Sequence, residues 1–251
     1  MKKTSLEELY RQHQPEVIAK RLNTGNRSQD ISDAVLGAID GCITTFAVVS
    51  GAFGAGFPAS VALILGFANL LADGFSMAVS NYEAIKAQRE FREQTRRMEE
   101  EHIDRVPDGE QEEVRQLFRQ KGFEGETLEA IVETISQDRE LWVETMLVEE
   151  HGLQKTEASP WRSAAVTFAT FIFAGAIPLL PYFVPGLPLP WQFGLSAGLA
   201  AAVFFAIGML KSLVFTKPLL ISGLSTLLTG GTAAALAYLT GYLLRQAFGI
   251  L

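Results

Sequence analysis

The sequence has very little cysteine and histidine, and it offers no basic surface. Its single cysteine, Cys42, excludes an internal disulfide. With only three histidines, no nucleotide-binding loop and no nucleophile–base pair, the sequence predicts that the protein is not an enzyme. No cluster of Lys and Arg offsets the acidic residues, so nucleic acid is not an expected partner.

Charge is missing from three long stretches. Residues 34–82 contain only Asp40 and Asp73, and residues 163–210 and 218–244 contain no charged residue. About 20 apolar residues suffice for a helix to cross a bilayer. The Gly- and Pro-rich joints divide these stretches into five candidate spans, at 34–56, 58–80, 163–184, 191–210 and 219–244. The sequence therefore predicts an all-α integral membrane protein with five transmembrane helices.

Most of the charged residues lie in one segment. Residues 81–157 hold 21 of the 28 acids and 11 of the 21 bases. The absence of Gly and Pro from Phe75 to Val106 predicts a single helix leaving span two, and shorter helices are expected at 108–120, 126–136 and 138–151. We expect a helical domain inserted between helices 2 and 3. The predicted divisions are 1–33, a leader; 34–82, spans one and two; 83–160, the acidic domain; and 161–251, spans three to five.

The distribution of Lys and Arg predicts the orientation in the membrane. The leader carries six such residues: Lys2, Lys3, Arg11, Lys20, Arg21 and Arg27. Twelve follow span two, Lys211 and Lys217 follow span four, and only Arg245 falls on the other side. Positive residues favour the cytoplasmic side. The N-terminus and the acidic domain are therefore predicted to be cytoplasmic, and the C-terminus to lie outside.

Paired side chains in the acidic domain indicate metal binding. Residues three or four apart share a helix face, and three such pairs occur: Glu99 and His102, Glu110 and Glu113, and Met146 and Glu150. Clustered carboxylates repel one another unless a cation neutralises them. Oxygen and nitrogen ligands suit Fe(II), Mn(II) or Zn(II) better than Ca(II). A solvated acidic helix face would explain the same spacing.

Polar residues inside the spans form a candidate transport path. Asp40 lies in span one, while Asn69, Asp73 and Met77 recur every four residues on one side of span two. Acids in membrane helices are costly and usually face a pathway or a partner. The alternatives are an interfacial Asp73 and a Met77 that only packs. Two Gly-x-x-x-Gly pairs, at 37/41 and 194/198, favour close helix packing or dimerisation.

Several sequence motifs occur together in a characteristic order. Span one contains Asp40-Gly41 and then Thr44-Thr-Phe-Ala-Val-Val-Ser-Gly51, and span two contains Gly74-Phe-Ser-Met77 and Asn81-Tyr82. The acidic segment adds Val106-Pro107, Glu110-x-x-Glu113, Trp142, Met146 and Glu150-His-Gly-Leu153. With five spans and an acidic insert after the second, the chain resembles the vacuolar iron transporter family, including its bacterial members.

The resemblance implies a homodimer that exchanges Fe²⁺, and often Mn²⁺, for protons along a path between subunits. It implies Asp40 and Met77 in the membrane, and Glu99, Glu110, Glu113, Met146 and Glu150 in the acidic domain. Two positions depart from the family pattern. His102 replaces a Glu, for which Glu101 is a candidate substitute, and Asn69 replaces a Glu that some members carry, with Asp73 one turn later.

The predicted function is therefore proton-coupled export of Fe²⁺ or Mn²⁺, with Zn²⁺ and Co²⁺ as further candidate substrates and no prosthetic group. The expected location is a bacterial inner membrane. The alternative is a membrane-anchored metal store or sensor without transport, but a pure anchor has no need of Asp40 and Asp73.

Overall fold

The protein is helical throughout the part of the chain that the computed structural model describes, residues 5–23, 28–155, 158–215 and 218–249. Within those ranges no strand occurs, which confirms the predicted all-α class. Lys2, Lys3, Arg27 and Lys217 entered the orientation prediction, and they lie outside the described residues.

Ten α-helices and one 3₁₀ helix make up the described structure. In chain order they are α1 (Leu6–Gln12), α2 (Pro15–Asn23), α3 (Ser28–Gly54), α4 (Ala59–Arg105), α5 (Pro107–Gln120), α6 (Gly125–Gln137), α7 (Arg139–Glu149), α8 (Pro160–Ala176), the 3₁₀ helix Ile177–Phe183, α9 (Leu189–Phe215) and α10 (Leu219–Phe248).

Five of these helical segments are long and apolar enough to cross a membrane, as predicted. They are Gln29–Gly54, Ala59–Arg105, Pro160–Phe183, Leu189–Ser212 and Leu219–Phe248. The third is not a uniform α-helix. It tightens into the 3₁₀ helix at Pro178 and Pro181, because proline lacks the N–H group that an α-helical hydrogen bond needs.

The chain forms two compact units, and their boundary falls within α4. The spanning unit comprises residues 1–82 and 158–251, and the acidic unit comprises residues 83–157. The helix α4 continues to Arg105 without a break, as the absence of Gly and Pro predicts. Each unit has its own apolar core.

Glycines bring α3 close to two neighbours in the spanning unit. A Cβ atom added to Gly41 would lie 2.3 Å from the carbonyl oxygen of Phe171 in α8, and one added to Gly54 would lie 2.3 Å from that of Tyr238 in α10. Only glycine permits such close approach of two helix backbones. The 37/41 glycine pair therefore packs within the chain, whereas a Cβ atom added to Gly194 or Gly198 would have no described atom of another element within 4 Å.

The acidic unit packs α5, α6, α7 and the end of α4 around a small apolar core. Nine buried residues form it: Ile103, Val114, Leu128, Val132, Ile135, Trp142, Val143, Met146 and Leu147. Arg92 and Arg96 of α4 both pair with Glu144 of α7, at 2.5 and 3.1 Å. Asp138 caps α7 by accepting hydrogen bonds from the main-chain N–H groups of Glu140 and Leu141.

Candidate functional site

Carboxylates and imidazoles converge in the acidic unit from three parts of the chain. Glu99 and His102 come from α4, Glu110 comes from α5, and Glu150 and His151 follow the end of α7. Two groups of three ligand atoms, each within 4.8 Å of one another, share Glu99: one adds His102 and Glu110, and the other adds Glu150 and His151. Both groups have the chemistry of a divalent-cation site.

Local structure explains how these side chains meet. One helical turn separates Glu99 from His102 on α4. Pro107 starts α5 directly after α4 ends at Arg105, and His102 Nδ1 lies 3.4 Å from Glu110 Oε1. After α7, Gly152 adopts a positive φ of 67°, a conformation that glycine adopts without steric cost. This turn places His151 Nε2 2.9 Å from Glu99 Oε1.

Two of the carboxylates are buried and only partly satisfied. Glu99 is 2% exposed and Glu110 is 3% exposed. The Oε2 atom of each is buried and has no hydrogen-bond partner among the residues that the structure describes. A buried carboxylate oxygen without a partner is costly unless a cation or proton neutralises it. The two bare oxygens therefore distinguish this cluster from a solvated acidic face.

Protonation at the cluster is shifted by burial and by crowding of like charges. Burial raises the pKa of Glu110 to about 7, and the neighbouring carboxylates of Glu113 and Glu99 contribute to the rise. Burial also raises the pKa of Glu150, although His151 acts in the opposite direction. Glu110 therefore changes charge near neutral pH, and a bound cation competes with a proton for it.

The remaining predicted ligands of this unit occupy different surroundings. Glu113 is exposed but close enough to affect both Glu110 and Glu150 electrostatically. Glu101 pairs with Arg105 at 2.6 Å and belongs to neither group. Met146 is fully buried in the apolar core, and its carbonyl oxygen accepts hydrogen bonds from the N–H groups of Glu150 and His151.

His151 is the cluster residue that the helical spacing did not indicate. The sequence argument counted positions along regular helices, but α7 ends at Glu149. The orientation of His151 therefore depends on the turn at Gly152. The available signal was the adjacency of Glu150 and His151 just before a glycine.

Polar residues of α3 and α4 face one another in the spanning unit. Asn69 Nδ2 donates to Thr44 Oγ1 at 3.2 Å, and Asn81 Nδ2 donates to Asp33 Oδ1 at 3.1 Å. Between these two contacts, Asp40 is close enough to Asp73 for their like charges to interact. We call this row of facing residues the polar seam: Asp33, Asp40 and Thr44 on α3, and Asn69, Asp73, Met77 and Asn81 on α4.

The predicted path residues all lie on this seam. Asp40, Asn69, Asp73 and Met77 are each partly buried, and Met77 also packs against the apolar core of the spanning unit. The seam thus combines carboxylate, amide and thioether groups along helices of membrane-spanning length. Carboxylate and thioether together suit a first-row transition metal.

Comparisons with known proteins identify a family and several relatives of this chain. The family model described as "VIT family" matches residues 31–242. The chain is 29% identical over 239 residues to a vacuolar iron transporter of Toxoplasma gondii, covering 92% of this chain and 79% of the relative. It is 31% identical over 226 residues to that of Plasmodium berghei (86% and 82%). It is also 31% identical over 210 residues to vacuolar iron transporter 2 of Oryza sativa subsp. japonica (83% and 85%).

Proposed function

The chain belongs to the VIT family, and on this premise we propose that it is a multi-pass membrane transporter that moves Fe²⁺, and also Mn²⁺, out of the cytoplasm in exchange for protons. The observation that carries the proposal is a pair of carboxylates, Asp40 and Asp73, on two helices of membrane-spanning length that are joined by the Asn69–Thr44 and Asn81–Asp33 hydrogen bonds. A charged side chain inside a bilayer is costly unless a cation or a proton neutralises it.

Competition for one carboxylate couples the two fluxes. Asp40 holds a divalent metal when it is ionised and releases the metal when a proton neutralises it. Metal arriving from the cytoplasm and protons arriving from the opposite side therefore displace one another. Met77 adds a soft sulfur ligand that favours Fe²⁺ over Mg²⁺ and Ca²⁺.

The acidic unit is the proposed collector of metal. Glu99, His102, Glu110, Glu150 and His151 bind the cation, and the exposed carboxylate of Glu113 attracts it. The unit and the N-terminus are cytoplasmic in this proposal, because six of the 21 Lys and Arg residues lie in the leader and twelve follow span two. The same proposal has the protein acting as a homodimer in a bacterial inner membrane.

The test is metal flux into liposomes that contain the purified full-length protein, with and without a pH gradient. Fe²⁺ and Mn²⁺ should enter faster when the gradient drives protons outwards. Asp40→Asn retains the size of the side chain but removes its charge, so flux should fall to the protein-free level. The matched control is Asp30→Asn, which removes a carboxylate on the same helix that pairs at the surface with Arg162.

Metal storage or sensing is the second candidate function, because the acidic unit offers a ligand cluster of its own. A purified protein that binds Fe²⁺ but produces no flux under any gradient would favour this alternative. Asp40→Asn flux that matches the wild type and keeps its pH dependence would contradict the coupling mechanism and make Asp73 the leading candidate.

A further inference from the structure

The polar seam extends two helical turns beyond Asp40. Asp33 precedes Asp40 by seven residues, which places both on one face of α3 about 10 Å apart along its axis. Asn81 continues the four-residue spacing of Asn69, Asp73 and Met77 on α4. Neither Asp33 nor Asn81 has a role in the mechanism above.

Hydrogen bonds fix the register of the two helices. Thr44 contacts Asn69 at one point and Asp33 contacts Asn81 at the other. These contacts are 11 residues apart on α3 and 12 apart on α4, so the helices run antiparallel with matched spacing. Asp33 and Asn81 therefore form one end of the same row of facing residues that contains Asp40 and Asp73.

Among the described residues, the hydrogen-bond donors to the buried carboxylate of Asp33 are neutral amides. It is 2% exposed. Its Oδ1 accepts hydrogen bonds from Gln29 Nε2 at 3.0 Å and from Asn81 Nδ2 at 3.1 Å, both neutral amides. Its Oδ2 is buried and has no hydrogen-bond partner in the described part of the chain. Arg162 of α8 pairs with Asp30, one helical turn before Asp33, at 2.6 Å.

Asn81 links Asp33 to a threonine hydroxyl of α8. Asn81 Nδ2 also donates to Thr167 Oγ1 at 2.8 Å, so its N–H₂ group is engaged with two acceptors and its carbonyl oxygen is the group left to bind a cation. Thr167 is fully buried and adds a hydroxyl oxygen. A buried carboxylate, an amide carbonyl and a hydroxyl belong to the oxygen ligands that Mn²⁺ and Fe²⁺ accept.

We propose that Asp33, with Asn81, forms a second binding site for the transported divalent cation, two turns from Asp40 on the same seam. The inference rests on the proposed transport function. It goes beyond that function by giving the path two successive sites, and a path of several weak sites lets an ion enter readily and still leave. In the predicted orientation the cation reaches Asp33 before Asp40.

The experiment measures Mn²⁺ flux in liposomes with the full-length protein. Asp33→Asn keeps the acceptor for Asn81 but removes the charge, so the KM for Mn²⁺ should rise at least tenfold. The double variant Asp33→Asn with Asn81→Asp again has one carboxylate in the pair. The amide at position 33 now donates a hydrogen bond, and the carboxylate at position 81 accepts it. The KM of this variant should recover to within about threefold of the wild type, because one charged ligand again faces the cation. Asp30→Asn is the matched control and should leave KM unchanged.

A second measurement tests direct contact between residue 33 and the cation. Cys42 is the sole cysteine and is fully buried, so Cys42→Ala provides a background in which Asp33→Cys carries the only thiol. A thiolate prefers Cd²⁺. Cd²⁺ should therefore block Mn²⁺ flux at about tenfold lower concentration in this variant than in the Cys42→Ala parent, and Asp30→Cys should match the parent.

Different results would contradict the second cation site and the transport function. A wild-type protein that moves no metal contradicts the transport proposal itself. If the wild type transports and Asp33→Asn keeps its KM, or Cd²⁺ sensitivity in Asp33→Cys equals that in Asp30→Cys, then Asp33 is only a hydrogen-bond acceptor joining α3 and α4. The double variant Asp33→Asn with Asn81→Asp gives a further test. If its size-exclusion profile and thermal stability show that it folds, but its KM stays raised, the second site is also contradicted.

Discussion

At the scale of single residues, the acidic unit combines buried carboxylates with imidazoles whose partners come from distant parts of the chain. Glu99 is the shared member, since both three-residue groups contain it. It is 2% exposed. Its Oε1 atom contacts His151, and its Oε2 atom has no hydrogen-bond partner among the described residues. The chemistry of the cluster is therefore sensitive to individual substitutions that leave the helices unchanged.

The protonation of Glu110 should be visible in the stability of the metal-free protein. Its pKa in the folded state, about 7, lies above the ordinary value of 4.5. The folded state therefore binds this proton more tightly, and the stabilising contribution is complete below about pH 4.5 and is lost as pH rises through about 7. Glu110→Gln should accordingly be more stable than the wild type at pH 8, by up to about 3 kcal/mol, and most of this gap should disappear at pH 5.

The measurement is the thermal midpoint of detergent-solubilised protein in the presence of a chelator at both pH values. Glu101→Gln serves as the control because it removes an exposed carboxylate paired with Arg105. An equal gap between Glu110→Gln and the wild type at pH 5 and pH 8 would contradict the assignment.

His151 should contribute to metal affinity and Glu101 should not. His151→Ala removes one nitrogen ligand, so the Kd for Mn²⁺ or Fe²⁺ at the acidic unit should rise about tenfold, the order of loss seen when support for a metal site is removed. Glu101→Gln should change it less than twofold, since Glu101 pairs with Arg105. Isothermal titration calorimetry of the full-length protein gives both values. The reverse ranking would make Glu101 the substitute for the family glutamate.

At the scale of helices, α3 is the element on which the spanning unit is organised. Its glycines contact α8 through Gly37 and Gly41 and α10 through Gly51 and Gly54. The same helix carries the acidic side of the polar seam. Close backbone packing on one part of α3 and polar contacts with α4 on another together set the position of Asp40.

An added methyl group at the α3–α8 contact should be poorly tolerated. In Gly41→Ala the new Cβ would lie 2.3 Å from a main-chain oxygen of Phe171, which cannot move aside independently of its helix. We expect a loss of about 1–3 kcal/mol, the usual cost of overpacking, measured as a lower thermal midpoint. Gly198→Ala is the matched control, because no atom lies within 4 Å of the position its Cβ would take. Equal midpoints for the two variants would refute the close contact.

At the scale of the whole molecule, charge and apolar length divide the chain between two environments. The spanning unit contains the long apolar helices, and the acidic unit contains most of the charged residues. This division fits a multi-pass membrane protein of the VIT family. It also makes the orientation in the membrane a property that can be tested without any metal.

The Lys and Arg distribution predicts which segments each side of the membrane exposes. Protease added to the cytoplasmic side of inverted vesicles should cut between residues 85 and 160, because that segment is expected there. A tag placed after Leu251 should be protected in these vesicles and accessible in right-side-out cells. Detection of the tag on the cytoplasmic side would contradict the five-span orientation.

The sequence by itself determined the helices, because their causes are local. Uncharged runs of sufficient length specify the spans, and Gly and Pro specify their ends. Spacings of three and four residues on uninterrupted helices likewise indicated Glu99 with His102, and Asn69 with Asp73 and Met77.

Only the tertiary structure decided which of these helix faces meet. His151 joins the cluster through a turn, and the 37/41 glycine pair packs against α8. The facing of Asp33 with Asn81, and of Asp40 with Asp73, depends on the register between α3 and α4. Periodicity within one helix specifies a face but not its partner, because packing between helices is set by contacts between residues far apart in sequence.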